Sequence, residues 1–282
     1  VRVSTSRVVL LTDSTAGSVP AEVSRVPLHV HAGDREFLDD STFAQDDADA
    51  YVRSGRPLRT SQPTQAQFSE AYAQAFRHGA SDVVVVVLSA RLSGTHHQAV
   101  LAGRAWPGRV HVVDSYAAGQ ALGYLATDAW TLANQGASAV TIAQWLVDAR
   151  ARVGAEFCVE SLERLLAGGR LTLPMGSVGQ RLGIRPMLSL AGGVIRPHGA
   201  VRSQQAGKAR LVAAARRARD NGATRFTVHH CVSPTDAEHL ADMVETEVGI
   251  VPMVSPLSTV LAAHTGAGTL AVAWAGPEPR SN

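Results

Sequence analysis

The sequence predicts an α/β protein of two domains: a mainly parallel sheet with helices on both faces, then a smaller α+β sandwich. Three observations carry that prediction. Strand, polar loop and helix alternate three times across the first half. Residues 82–88 (DVVVVVL) form a continuous β-branched run, the pattern of a strand covered on both faces. The second half mixes helices with a hairpin signal, Ala191-Gly192-Gly193 between two apolar runs. A chain of 282 residues also exceeds what one modest core organises, which places the domains at 1–154 and 155–282.

The elements follow in order. Residues 7–12 read as a buried strand feeding Asp13-Ser14-Thr15, and residues 26–31 as a second strand. Residues 43–54 and 65–78 have helical spacing, with Thr64 as N-cap of the latter. After the valine strand, residues 89–95 form a polar loop before a helix at 96–105. Residues 109–113 are a strand ending at Asp114-Ser115, with helices at 119–135 and 140–153 beyond it. In the second half, strand 156–159 precedes a helix at 161–167 that Gly168-Gly169 stops. The hairpin pairs 187–190 with 194–197, and helix 208–221, strand 225–231, helix 234–248 and strand 250–254 follow. Residues 260–264 run into a glycine-rich turn and a last strand, 270–275. Ligands of parallel sheets bind beyond the carboxyl ends of the strands, so Asp13–Thr15, residues 89–95 and Asp114-Ser115 are expected side by side.

Composition bounds the function. Hydrophobic residues at 45% and charged residues at 18% are those of a folded globular chain. A net charge of +2 is too small to steer the chain onto nucleic acid or a membrane surface, so neither is expected as a partner. Cys158 and Cys231 sit in apolar runs and read as two buried thiols in a reducing compartment. No CxxC, HExxH or GxxxxGK[ST] spacing occurs, so no metal and no cofactor is expected. No apolar stretch is long enough to span a bilayer and the N-terminal residues lack a leader pattern, which makes the cytoplasm the expected location.

Four short segments carry more hydroxyls and glycines than turns need: Thr60-Ser61-Gln62-Pro63, residues 89–95, Gly168-Gly169-Arg170-Leu171-Thr172 and His264-Thr265-Gly266-Ala267-Gly268. Three more motifs accompany them: Thr12-Asp13-Ser14-Thr15, Val112 to Ser115 and Ile184-Arg185-Pro186. In this order the seven motifs resemble those of the DegV family, bacterial fatty-acid-binding proteins that serve fatty acid kinase. The resemblance covers essentially the whole chain. Three positions depart from the family pattern: Ala90 for a second serine, His96 for a common tyrosine and Ala267 for a frequent proline.

The resemblance implies a DegV-like two-domain fold and a long-chain fatty acid as ligand, with its carboxylate presented to a separate ATP-dependent kinase. Thr60 or Ser61, together with Ser93, Gly94 and His264, are the implied carboxylate anchors. Arg170 and Arg202 are implied at the pocket mouth, where a guanidinium suits an acyl phosphate or the kinase. Burying about a dozen methylenes at roughly 0.8 kcal/mol each yields about 10 kcal/mol before ordering costs. The carboxylate must then find donors, because an unpaired buried charge is very costly.

A second reading is a serine hydrolase or acyltransferase using Ser93 or Ser89 with His264 and Asp13 or Asp114. Its residue types are present, but G-x-S-x-G is not. A third, a phosphate- or nucleotide-binding protein, rests on glycine-rich loops at helix starts and lacks a P-loop lysine.

Overall fold

The computed structural model describes residues 7–40, 45–171 and 183–279. Phe43, the expected start of the first helix, and Thr172, the end of the third hydroxyl-rich segment, lie outside them. The first half comprises β1 (Val8–Asp13), β2 (Ser24–Val26), β3 (His29–Ala32), β4 (Arg35–Leu38), α1 (Gln45–Arg53), β5 (Leu58–Ser61), α2 (Gln65–Arg77), β6 (Asp82–Val87), α3 (Thr95–Gly103), β7 (Val110–Asp114), α4 (Gln120–Asn134) and α5 (Ala139–Ala149). After one 3₁₀ turn come β8 (Val153–Cys158), α6 (Glu163–Ala167), β9 (Arg185–Ala191), β10 (Val194–Val201), α7 (Gln204–Asp220), β11 (Arg225–His230), α8 (Pro234–Val248), β12 (Met253–Pro256), α9 (Thr259–Thr265) and β13 (Leu270–Ala275).

The expected parallel sheet is there, in the order β2-β1-β6-β7 with every pair parallel. Its central strand explains the valine run. Val84 and Val86 point into the core beneath α4 and α5, whereas Val83, Val85 and Val87 point into the core beneath α2 and α3. All five are fully buried, at about 1.5–3 kcal/mol each. Thr64 caps α2 as expected, accepting from the Gln67 N–H while the Gln67 side chain accepts from the Thr64 N–H.

A second, mixed sheet of six strands runs β10-β9-β8-β13-β11-β12, and α7 and α8 share the core on one of its faces. The hairpin lies where the sequence places it, with Gly192 and Gly193 as its two-residue loop, both at positive φ. Its tip reaches the first sheet, where the Ser89 hydroxyl donates to the Gly193 carbonyl at 2.7 Å. A Cβ on Gly193 would stand 2.6 Å from that hydroxyl oxygen, whereas one on Gly192 would meet nothing. Gly193→Ala is therefore expected to cost about 2 kcal/mol and Gly192→Ala, which bears only the backbone term, clearly less. Urea denaturation of the two variants measures the difference.

Three segments differ from the sequence prediction. The expected strand at 26–31 is two strands in two sheets: β2 runs parallel to β1, and β3 pairs antiparallel with β4 and β5. Pro27 separates them, and a residue without an N–H cannot continue the ladder. The first half of Thr60-Ser61-Gln62-Pro63 is likewise strand rather than turn, with Thr60 opposite Val30. The last parallel strand also starts later than expected, at Met253, after the left-handed cap at Gly249 and Pro252. The three-stranded sheet β4-β3-β5 packs on α9, with Leu28, Val30 and Leu58 against Val260, Ala262 and Ala263 in one buried cluster. That contact joins residues near the start of the chain to residues near its end, and it sets up the site.

Candidate functional site

The strand ends lie side by side as expected, but the aspartates of the outer two are occupied in holding the middle one and their own loops. The Asp13 carboxylate accepts from the Thr15 N–H (2.9 Å), the Thr15 hydroxyl (2.6 Å) and the Leu88 N–H (2.6 Å). Burial pushes its pKa up and these bonds oppose the shift. Asp114 accepts from the N–H groups of Ala90 and Tyr116, both at 3.1 Å. These aspartates fasten the loop after β6 from both sides, at the Leu88 and Ala90 N–H groups.

Thr60 and His264 meet. The Thr60 hydroxyl lies 2.8 Å from His264 Nε2, across 204 residues of sequence. His264 sits in the last turn of α9, and that helix is capped at its start by Ser258 and closed by the Gly266 N–H bonding to the Ala262 carbonyl. Ser61 faces the other way, as alternation on a strand requires, with its hydroxyl 3.1 Å from His31 Nε2. Of the two hydroxyls left open by the sequence, Thr60 is the one beside His264.

Gly168 explains the fit of the imidazole. A Cβ there would stand 2.7 Å from His264 Nδ1, and the glycine φ is ordinary, so what the position demands is space. Burial, and the Arg170 guanidinium nearby, push the His264 pKa down to about 4. The ring is therefore neutral at pH 7, with one N–H to donate.

Arg170 is half-buried, its Nε donating to the Leu92 carbonyl at 3.0 Å and its Nη1 to the Gly168 carbonyl. It ties the loop after α6 to the loop before α3. Desolvation lowers its pKa, yet a guanidinium stays charged in proteins. Ser93 turns onto α3, its hydroxyl 2.9 Å from that of Thr95 and accepting from the Thr95 N–H at 3.3 Å. With Thr95 as hydroxyl donor, the Ser93 proton is left to donate outward. Gly94 lies against Gln62, whose amide a Cβ there would meet at 3.2 Å, so the start of α3 abuts the end of β5. The first bond inside α3 runs from the Gln98 N–H to the Gly94 carbonyl, and the preceding N–H groups make this end favourable to an anion.

Thr60, His264 and Arg170 thus converge, with Gly94 and Ser93 joined to them through Gln62 and Leu92. Arg202 is exposed in the turn between β10 and α7, and no hydrogen bond or ion pair among the described residues ties it to the others. Gln62, Thr95 and Gly168 support the site without having been singled out, although each stands in a segment marked as hydroxyl- or glycine-rich. The chemistry available is a neutral imidazole and a hydroxyl in contact, a guanidinium acting on them, and a second hydroxyl and a helix start linked to these through Gln62 and Leu92. Next to it lie the apolar residues Leu165, Leu171, Phe157 and Leu188 on one side and those of α9 on the other.

The hydrolase geometry does not assemble from these residues. Ser89 is buried and committed to the Gly193 carbonyl, Asp13 and Asp114 are committed to backbone donors, and the charge that acts on His264 is Arg170 rather than a carboxylate. The two cysteines are free and buried, and burial pushes Cys158 up to about 11 and Cys231 up to about 12, which makes both poor nucleophiles. Among the described residues no helix is long and apolar enough to cross a membrane.

The DegV family model, described as that of an uncharacterised protein, matches residues 7–276. A DegV domain-containing protein of Streptomyces coelicolor is 36% identical over 276 residues, covering 94% of this chain and 97% of the relative. A fatty-acid-binding DegV family protein from Thermus thermophilus has the same fold at a TM-score of 0.85 and 28% identity, over 96% of this chain and 100% of that one. The fatty acid kinase B3 protein of Streptococcus pneumoniae, solved with linoleic acid, superimposes at a TM-score of 0.81 over 96% of this chain and 99% of that one; at 20% identity the likeness is one of fold.

Proposed function

This chain belongs to the DegV family, and from that premise we propose that it binds a long-chain fatty acid and presents the carboxylate to a separate ATP-dependent fatty acid kinase. The observation that carries the reading is the Thr60–His264 contact beside Arg170, set at the edge of an apolar interior. A fatty acid needs both halves of such a site: a place for the tail away from water and several donors for one carboxylate.

In this reading Ser93 and the N–H groups at Gly94 and the start of α3 donate to one side of the carboxylate. On the other side the Thr60 hydroxyl donates to His264 Nε2, which leaves the Nδ1–H of the neutral ring as the donor to the carboxylate, and Arg170 balances the charge. Arg202, exposed beyond the site, is a contact for the partner. The chain supplies no chemistry of its own; the kinase, working with ATP in the cytoplasm, forms the acyl phosphate on a carboxylate that this chain holds still. Support for the kinase step comes from the family resemblance that the seven motifs carry.

Native mass spectrometry of gently purified protein tests binding, with an added mass of a C16–C18 acid expected, lost on delipidation and regained with oleate. A chain that neither carries nor rebinds any long-chain acid overturns the reading, and covalent labelling of Ser89 or Ser93 by a fluorophosphonate would favour the hydrolase instead. Gly168→Ala is a finer test. It leaves the backbone unstrained and pushes on the imidazole, so the Kd for oleate is expected to rise about tenfold, the scale of one misplaced charge-assisted hydrogen bond. Isothermal titration reads this directly.

A further inference from the structure

We propose that Asp39 is a positioning residue for His264, holding the start of the short helix whose last turn carries the imidazole. This rests on the reading of Thr60 and His264 as head-group anchors. Asp39 follows β4 and is nearly inaccessible to solvent. Its carboxylate accepts from the Thr259 N–H at 3.2 Å, across 220 residues of sequence, from the Ser14 hydroxyl at 2.8 Å, and from the Ser258 hydroxyl. Its own N–H bonds to the Leu28 carbonyl at 2.8 Å, and Ser14 accepts in turn from the Leu28 N–H at 3.1 Å. One carboxylate therefore joins the β1 loop, the three-stranded sheet and the first turn of α9.

The geometry makes this consequential. Helix α9 has seven residues, about 10 Å of helix, too short to hold itself by its own bonds. Both its ends are fastened to the same three-stranded sheet: the start by Asp39 after β4, the end by Thr60 on β5. Between them the buried faces of Val260, Ala262 and Ala263 allow little bending. Releasing the start shifts the end.

The carboxylate is kept at a cost. Burial raises its pKa to about 6, and the nearby buried Asp13 carboxylate adds to the rise, while the Ser14, Thr259 and Ser258 bonds oppose it. Arg25, exposed on β2, is the cation whose charge acts on both aspartates. Because the folded pKa lies above the ordinary carboxylate value, the charged form lowers global stability above pH 6, and that cost is relieved progressively as pH falls from about 6 towards the ordinary carboxylate range. A charge retained against stability is what a working residue looks like. His264, held near 4, stays neutral through this range and does not contribute to a change near pH 6.

The test compares the full chain with Asp39→Asn and Asp39→Glu. Oleate affinity is read from pH 5 to 8 by displacement of a fluorescent fatty acid, and hydrogen exchange is read at residues 259–265. Asp39→Asn is expected to weaken binding about tenfold at pH 7.5 and to remove the affinity change that the parent chain shows near pH 6. It should speed exchange in α9 while β6 stays protected, and Asp39→Glu should recover part of the affinity. Unchanged affinity together with unchanged α9 exchange overturns the proposal, as does faster exchange that spreads equally to β6. If the parent chain binds no fatty acid, the head-group reading fails by itself, and α9 exchange then decides whether Asp39 holds the helix.

Discussion

Replacing His264 by alanine is expected to weaken oleate binding about ten- to hundredfold at pH 7.5, the range for losing a hydrogen bond to a charged group, about 1.5–3 kcal/mol. The imidazole is neutral there and acts as a donor held by Thr60 and by the space above Gly168. Thr60→Val keeps the volume and removes the hydroxyl, so it should weaken binding less than His264→Ala. The double variant should lose less than the sum, because the two side chains touch. Titration calorimetry on delipidated protein reads all three. Equal affinity in the parent chain and His264→Ala would place the carboxylate elsewhere.

The second large effect concerns stability. Asp128 on α4 and Arg225 at the start of β11 form a bidentate pair with both N–O distances 2.7 Å, and the aspartate side chain is 4% exposed. Arg225 also donates to the Gly276 carbonyl and stacks over the Tyr124 ring at 4.9 Å, and the Tyr124 hydroxyl lies 2.7 Å from that of Thr227. This network joins a helix of the first sheet to a strand of the second. Asp128→Ala leaves the guanidinium with only the exposed Glu278, 3.9 Å away, as counter-charge, and the expected cost is about 3 kcal/mol, a fall in Tm of about 10 °C for a chain of this size. Removing both partners should cost less than removing Asp128 alone, since no charge is then stranded. Thermal unfolding of the single and double variants separates the pair from its surroundings, and a Tm shift below about 2 °C for Asp128→Ala would show that the joint lies elsewhere.

The parallel sheet was legible because its signals are local. A run such as residues 82–88 admits one burial pattern, and Thr64, Gly168 and Gly192-Gly193 are caps and turns that neighbouring residues specify. The site was legible as a set of segments for a similar reason: hydroxyls and glycines concentrate where backbone and ligand come close. Its internal arrangement was not. Alternation on β5 decides that Thr60 and not Ser61 faces His264, and that strand exists only because β3 pairs with it. Asp13-Ser14-Thr15 looked like ligand-facing polarity, yet its aspartate is consumed by bonds to Thr15 and Leu88.

The sequence by itself thus determined the α/β class, the valine-centred parallel sheet and the hairpin, and through its resemblance to the DegV family it pointed to Thr60 or Ser61, Ser93, Gly94, Arg170, Arg202 and His264 as candidate site residues. Tertiary structure alone decided that β4-β3-β5 packs on α9, that Thr60 reaches His264 and that Asp39 holds the other end of that helix. The reason is separation along the chain. Periodicity and turn chemistry act over a few residues, whereas contacts across 204 and 220 residues form only when burial of the whole core brings distant segments together.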